Sequence, residues 1–276
     1  MCVNSIVVMR ENHHIFTEML SKKQLQNMRK IVKKWGESMI PKVIHYCWFG
    51  GKPLPSEVKK CIKSWKKKCP DYEIKRWDES NFDVYQHPFV KTAYEANAWA
   101  FVSDYARLKI VYENGGIYLD TDVELLKNLD FLLKYQCYIG VQQVGKFCTT
   151  GLGFGAEKNN LIVQMMLKKY DNIVFSRGKE ANLACPYLNN EVMQSIGYIY
   201  DENNPVEING TLILPCKYLD PIAPGDNMKN LKCGDTISIH HYSASWMGNK
   251  TRLKRRIIRI IGQEKINIIK NLLKMH

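Results

Sequence analysis

The feature that most narrows what this chain can fold into is the passage from Trp99 to Glu124. Trp99 to Glu113 reads as a helix, and Asn114-Gly115-Gly116 supplies its C-terminal stop. Ile117 to Leu119 follows as a brief buried strand that ends on Asp120-Thr121-Asp122. Upstream, Val43-Ile-His-Tyr-Cys-Trp-Phe49 is a short apolar strand running into Gly50-Gly51, with a helix expected over 56–67. A strand at 72–77, a helix at 88–96, a helix near 160–170 and strands at 137–141, 151–155, 212–214 and 236–241 continue the alternation. Alternating strands and helices place the chain in the α/β class. The stretch 171–209, with polar clusters such as Leu188-Asn-Asn-Glu191, is left open between loops and short helices.

The chemistry concentrates in three clusters. The first is Asp120-Thr121-Asp122, where two carboxylates one residue apart leave a strand and can converge on one cation. Hard oxygen ligands suit Mg2+ or Mn2+, and such an ion would bridge the phosphates of a nucleotide sugar. The second is Phe101-Val-Ser-Asp-Tyr-Ala-Arg107. Ser103, Asp104 and Arg107 share one helix face, and the helix ends beside the carboxylate strand, so Arg107 is expected to hold a sugar hydroxyl or phosphate through its planar fork. The third is Ile239-His-His-Tyr-Ser-Ala-Ser-Trp246. Consecutive residues of a strand face opposite ways, so at most one of His240 and His241 reaches a metal.

Charge separates function classes once it is divided along the chain. The formal net charge is +13, but residues 1–40 hold seven Lys/Arg against three Asp/Glu and residues 250–276 hold nine against one. That leaves 13 − 4 − 8 = +1 for the body, whereas a nucleic-acid reader spreads basic residues over its folded face. No nucleic-acid partner is expected. The nine cysteines include no Cys-x-x-Cys pair and no zinc-type spacing, and read as reduced thiols of a cytosolic protein. No segment has the length of a membrane span or a secretory core.

The stretches Ile40-Pro-Lys-Val-Ile-His-Tyr-Cys-Trp-Phe-Gly-Gly51, Trp99-Ala-Phe-Val-Ser-Asp-Tyr-Ala-Arg-Leu108, Gly115-Gly-Ile-Tyr-Leu-Asp-Thr-Asp-Val-Glu124 and His240-His-Tyr-Ser-Ala-Ser-Trp246 resemble, in order, the glycosyltransferases that share a DXD sugar-binding region. These include family 32, with mannosyltransferases and capsular polysaccharide enzymes, and the related catalytic domains of large clostridial toxins. The resemblance implies a GT-A-like, Rossmann-type nucleotide-binding domain over 40–249. It implies that Trp48 stacks on the base and that Ser103, Asp104 and Arg107 contact ribose and donor sugar, with Tyr118, Asp120 and Trp246 completing the nucleotide set. It further implies metal ligation by Asp120 and Asp122, with His241 preferred over His240 as a third ligand. Asp104, Arg107, Asp120 and Asp122 form the expected catalytic set. The departing phosphate oxygen would take the acceptor proton in a retaining reaction.

The expected activity is therefore transfer of a hexosyl or N-acetylhexosaminyl unit from a UDP-sugar to a glycan or lipid-linked acceptor in surface or capsular polysaccharide synthesis. Residues 1–39 are expected to be a helical extension, and 250–276 a basic amphipathic helix on the anionic inner leaflet, which makes the enzyme cytoplasmic and peripheral to the membrane. Two alternatives stay open: a toxin-like protein glycosyltransferase, and a haloacid-dehalogenase-type phosphatase. The phosphatase pattern expects Thr or Val where this chain has Glu124.

Overall fold

A computed structural model describes residues 40–178, 183–225 and 228–243, all within the unit Met39–His276 into which this part of the chain gathers. The expected terminal extensions, 1–39 and 250–276, lie outside the described residues. The chain runs β1 (Val43–Cys47), α1 (Ser56–Lys68), β2 (Glu73–Trp77), α2 (Pro88–Glu95), α3 (Trp99–Asn114), β3 (Gly116–Tyr118) and β4 (Val123–Leu125). After a short turn of 3-10 helix it continues through β5 (Cys137–Val141), β6 (Cys148–Ala156), α4 (Leu161–Lys168), α5 (Cys185–Ser195), β7 (Val206–Ile208), β8 (Thr211–Leu214), α6 (Cys216–Leu219) and β9 (Ser238–His240).

Seven strands form one sheet in the order β2-β1-β3-β6-β5-β8-β7, while β4 and β9 pair separately. β2, β1 and β3 are mutually parallel, and β5 runs parallel to β8. β6 lies antiparallel to both β3 and β5, and β7 to β8. The direction therefore reverses at the β3 to β6 junction, and the carboxyl ends of β1 and β3 meet the start of β6 there. Ligands of open α/β sheets bind in such a crevice. This is the α/β layout expected from the sequence, in a mixed sheet.

Strand alternation divides the core into two layers. Ile44, Tyr46, Ile117 and Tyr138 face a cluster with Trp65, Val123 and Leu125. Cys47, Tyr118 and Ile139 face the opposite cluster, built on Phe89, Val102, Ala106, Leu108 and Met193. α1 buries Val58, Cys61 and Trp65 from one stripe, the spacing of a surface helix on a sheet. The Trp65 indole N–H donates to the carbonyl of Val123 at 2.7 Å, fastening α1 beneath the start of β4.

The Gly115-Gly116 stop does more than end α3. Gly115 has φ +68 and Gly116 φ +102, backbone conformations that residues with a Cβ rarely adopt. A Cβ on Gly116 would stand 2.8 Å from His45 Nε2 and 2.9 Å from the Val43 carbonyl, so the glycine also lets β3 press against β1.

Candidate active site at the Asp120 to Asp122 turn

Asp120 to Val123 is a tight turn in which the Val123 N–H donates to the Asp120 carbonyl at 3.0 Å. Its register is fixed on both sides. Leu119 N–H reaches back to the His45 carbonyl at 3.1 Å, and β4 pairs with β9 so that Val123 stands opposite His240. The turn thus carries Asp120 from the large sheet and Asp122 toward the small one.

Asp120 is anchored through one oxygen. Its Oδ1 accepts from Arg107 Nη2 at 3.0 Å and from the Tyr118 hydroxyl at 3.0 Å. Arg107 is buried, and its remaining fork is also committed: Nη2 lies 3.1 Å from Asp104 Oδ1, Nε donates to the Ser103 carbonyl at 3.2 Å and Nη1 approaches Cys185 Sγ at 3.6 Å. A Cβ at Gly151 would meet Asp120 Oδ2 at 3.0 Å and Arg107 Nη1 at 3.2 Å, so that glycine gives the second oxygen its room. Burial raises the pKa of Asp120 and Arg107 only partly draws it back, while Asp122 adds repulsion. Asp104 is raised for the same first reason, again opposed by Arg107.

Asp122 sits in the opposite balance. Its Oδ2 accepts from the Ser243 N–H at 2.8 Å and the Ser243 hydroxyl at 3.0 Å, and its Oδ1 is 3.0 Å from His240 Nε2. Burial alone would raise this carboxyl, but the charge and hydrogen bond of His240 and the two Ser243 donors hold it well below the usual carboxylate range. His240 is raised in turn, because Asp122 and then Asp120 outweigh the burial that opposes its proton. Two carboxylates therefore draw positive charge to one point. Ligand atoms of Asp120, Asp122 and His240 all lie within 4.8 Å of one another, a donor set of two oxygens and one imidazole nitrogen that suits a small divalent ion.

Of the two histidines it is His240, not the preferred His241, whose imidazole faces the turn. β9 ends at His240, whose imidazole turns to Asp122, while the next residue faces the other way and His241 Nε2 lies 2.9 Å from Glu124 Oε2. Only the backbone N–H of His241 serves the turn, donating to the Asp122 carbonyl at 2.9 Å. Arg107, Asp104 and Tyr118, expected to contact the nucleotide or sugar, are buried with their polar groups bound to protein beside Asp120. Ser103 lies half-buried on α3. Trp48 is half-buried at the end of β1, its indole N–H donating to the Lys52 carbonyl at 2.5 Å. Trp246 lies outside the described residues.

Sequence reading missed Ser243 as the partner of Asp122 and missed the wall behind Arg107. That wall is Cys185 at the start of α5, with Thr149 Oγ1 at 3.5 Å from its sulfur. Only pairing across the fold reveals either, and no local spacing signals it.

Residues 55–139 match the model of the glycosyltransferase sugar-binding region containing a DXD motif. An uncharacterized glycosyltransferase of Acanthamoeba polyphaga mimivirus is 26% identical over 221 residues, 75% of this chain and 84% of that protein. Inositol phosphoceramide mannosyltransferase 3 of Schizosaccharomyces pombe is 30% identical over 165 residues, 58% of this chain. The match spans 43% of that mannosyltransferase's length. Among solved structures, the PaToxG glycosyltransferase superposes with a TM-score of 0.47 at 21% identity, over 70% of this chain and 80% of that one. None of the described helices is long and apolar enough to cross a membrane. The matched segment contains Asp104, Arg107, Asp120 and Asp122, and this stretch of the chain is similar to the sugar-binding region, with its DXD motif, of known glycosyltransferases.

Proposed function

We propose that the chain transfers a hexosyl unit from a nucleotide-sugar donor to a glycan or lipid-linked acceptor, with Mn2+ or Mg2+ held by Asp120, Asp122 and His240. The convergence of those three side chains, their ligand atoms within 4.8 Å of one another, carries the reading. A divalent ion bound there would screen the diphosphate charge that grows as the sugar leaves.

The protein's own part is positioning. Arg107 and Tyr118 hold Asp120 by Oδ1, and Gly151 keeps Oδ2 clear. Ser243 holds Asp122 by Oδ2, leaving Oδ1 toward His240. Fixing both carboxylates before the substrate arrives removes the reorganisation that would otherwise accompany charge development. Trp48, its ring tethered through Lys52, offers the base a flat face worth roughly 1 to 3 kcal/mol. A hexosyl donor and a lipid-linked acceptor are supported by the name of the S. pombe relative, an inositol phosphoceramide mannosyltransferase. The nine Lys/Arg against one Glu in residues 250–276 support an acceptor at an anionic membrane surface.

The test is a panel of UDP- and GDP-hexoses and UDP-N-acetylhexosamines with Mn2+, following nucleoside diphosphate release by the full chain. One donor is expected to be turned over in a metal-dependent way. If every donor is left intact with and without acceptor glycolipids, the proposal fails.

A further inference from the structure

Beside the carboxylate turn, on the face of His240 away from Asp122, lies a group of buried polar atoms that the proposed chemistry does not use. His240 Nδ1, the Tyr242 hydroxyl, Asp220 Oδ1 and Ser238 Oγ are all buried with no partner in hydrogen-bonding geometry. Such atoms are rare in folded proteins, and each asks for a reason. Ser238 and His240 are two apart on β9 and so share one face.

Tyr242 is bent back onto this face. Its backbone φ is +48, an outlier for a bulky side chain, and its ring lies 4.1 Å from the His240 imidazole, centroid to centroid. Asp220 is fixed from behind: the Gln143 N–H donates to its Oδ2 at 2.7 Å and Gln143 Nε2 to its carbonyl at 2.9 Å, which leaves Oδ1 on the other side. The three atoms are chemically matched, since an imidazole N–H donates, a phenol accepts and donates, and a carboxylate accepts.

We propose that Tyr242 and Asp220 are positioning residues: with the cation bound, these unpartnered groups close a chain from His240 Nδ1–H to the Tyr242 oxygen and from the Tyr242 hydroxyl to Asp220 Oδ1. This chain sets the His240 tautomer and leaves Nε2 free to face the cation. The inference rests on the metal reading above. Partners of this kind behind a ligating histidine typically change metal affinity by about 10- to 100-fold when removed.

The experiment is Mn2+ titration of the full chain by electron paramagnetic resonance, for wild type, Tyr242→Phe, Asp220→Asn and the double variant, with melting curves in chelator. Tyr242→Phe is expected to weaken Mn2+ by about 10-fold or more while its metal-free melting temperature stays at the wild-type value. The double variant should be no weaker than the weaker single one, because both substitutions break one chain. Wild-type Mn2+ affinity in Tyr242→Phe, or losses that simply add, would overturn the proposal. A wild type that binds no Mn2+ would overturn the metal reading itself, which separates the two failures.

Discussion

Replacing Arg107 by methionine keeps an unbranched apolar stem and removes the cation that bridges Asp104 and Asp120. The guanidinium is 4% exposed and the two carboxylates 12% and 24%, so neither acid can turn fully to solvent. Breaking a buried pair from one side costs about 3 to 5 kcal/mol, and the partial exposure of Asp120 puts the expectation at the lower end, about 3 kcal/mol near neutral pH. For a unit of this size that corresponds to roughly 6 to 12 °C in melting temperature. The loss should depend on pH in a definite sense. Burial already raises both carboxyls and Arg107 is what draws them down, so the variant raises them further above their unfolded values. A carboxyl raised in the folded state destabilises it only where it must ionise; its favourable contribution is complete below about pH 4 and is lost as pH rises through the folded pKa. The deficit of Arg107→Met relative to wild type is therefore largest at pH 7 and shrinks toward pH 4. Urea unfolding in metal-free buffer at several pH values measures it. A deficit under about 1 kcal/mol at pH 7, or one that is flat from pH 4 to 7, would refute the claim that Arg107 holds two buried acids. Arg107→Lys, which keeps the charge and loses the fork, should show a smaller deficit and still lose activity.

His45 is held at a pKa of about 4, chiefly by burial, with the Gly115 carbonyl pulling the other way; its Nδ1 accepts from the Trp77 indole at 3.1 Å and its Nε2 faces that carbonyl at 2.9 Å. A folded pKa below the unfolded value of about 6.5 gives stability that is present above pH 6.5 and lost as pH falls to 4, roughly 3 kcal/mol in all, and His45→Gln should flatten that slope in urea titrations. Gly116→Ala forces a Cβ to 2.8 Å from His45 Nε2 at φ +102 and should cost about 2 to 4 kcal/mol, read as a drop in melting temperature. Trp48→Ala should weaken the nucleoside diphosphate by roughly 5- to 150-fold, measured by calorimetry; unchanged affinity would remove the indole from the site.

The parts of this molecule legible in its sequence are those whose signals are local. The Gly115-Gly116 stop, the short strand after it and the carboxylates at its end are written in consecutive residues. α5 was hidden because its asparagines look like loop residues. Asn189 is buried and its amide N–H donates to Thr150 Oγ1 at 3.1 Å, and Asn190 accepts from the Cys148 N–H at 3.3 Å, so both find partners on β6, far along the chain. Which of His240 and His241 faces the turn is not legible locally for a related reason. Alternation says that only one can face the turn, but which one depends on the register of β9 against β4, and two strands of three residues each carry too little pattern to fix it.

The proposed cation site is made by Asp120, Asp122 and His240. Mn2+ titration of the full chain by electron paramagnetic resonance, with and without a nucleoside diphosphate, in wild type and in Asp122→Asn, tests it most directly. The expected result is one Mn2+ per wild-type chain, bound more tightly when the diphosphate is present, and its loss in a folded Asp122→Asn. Equal Mn2+ binding by both proteins, or none by either, would contradict it.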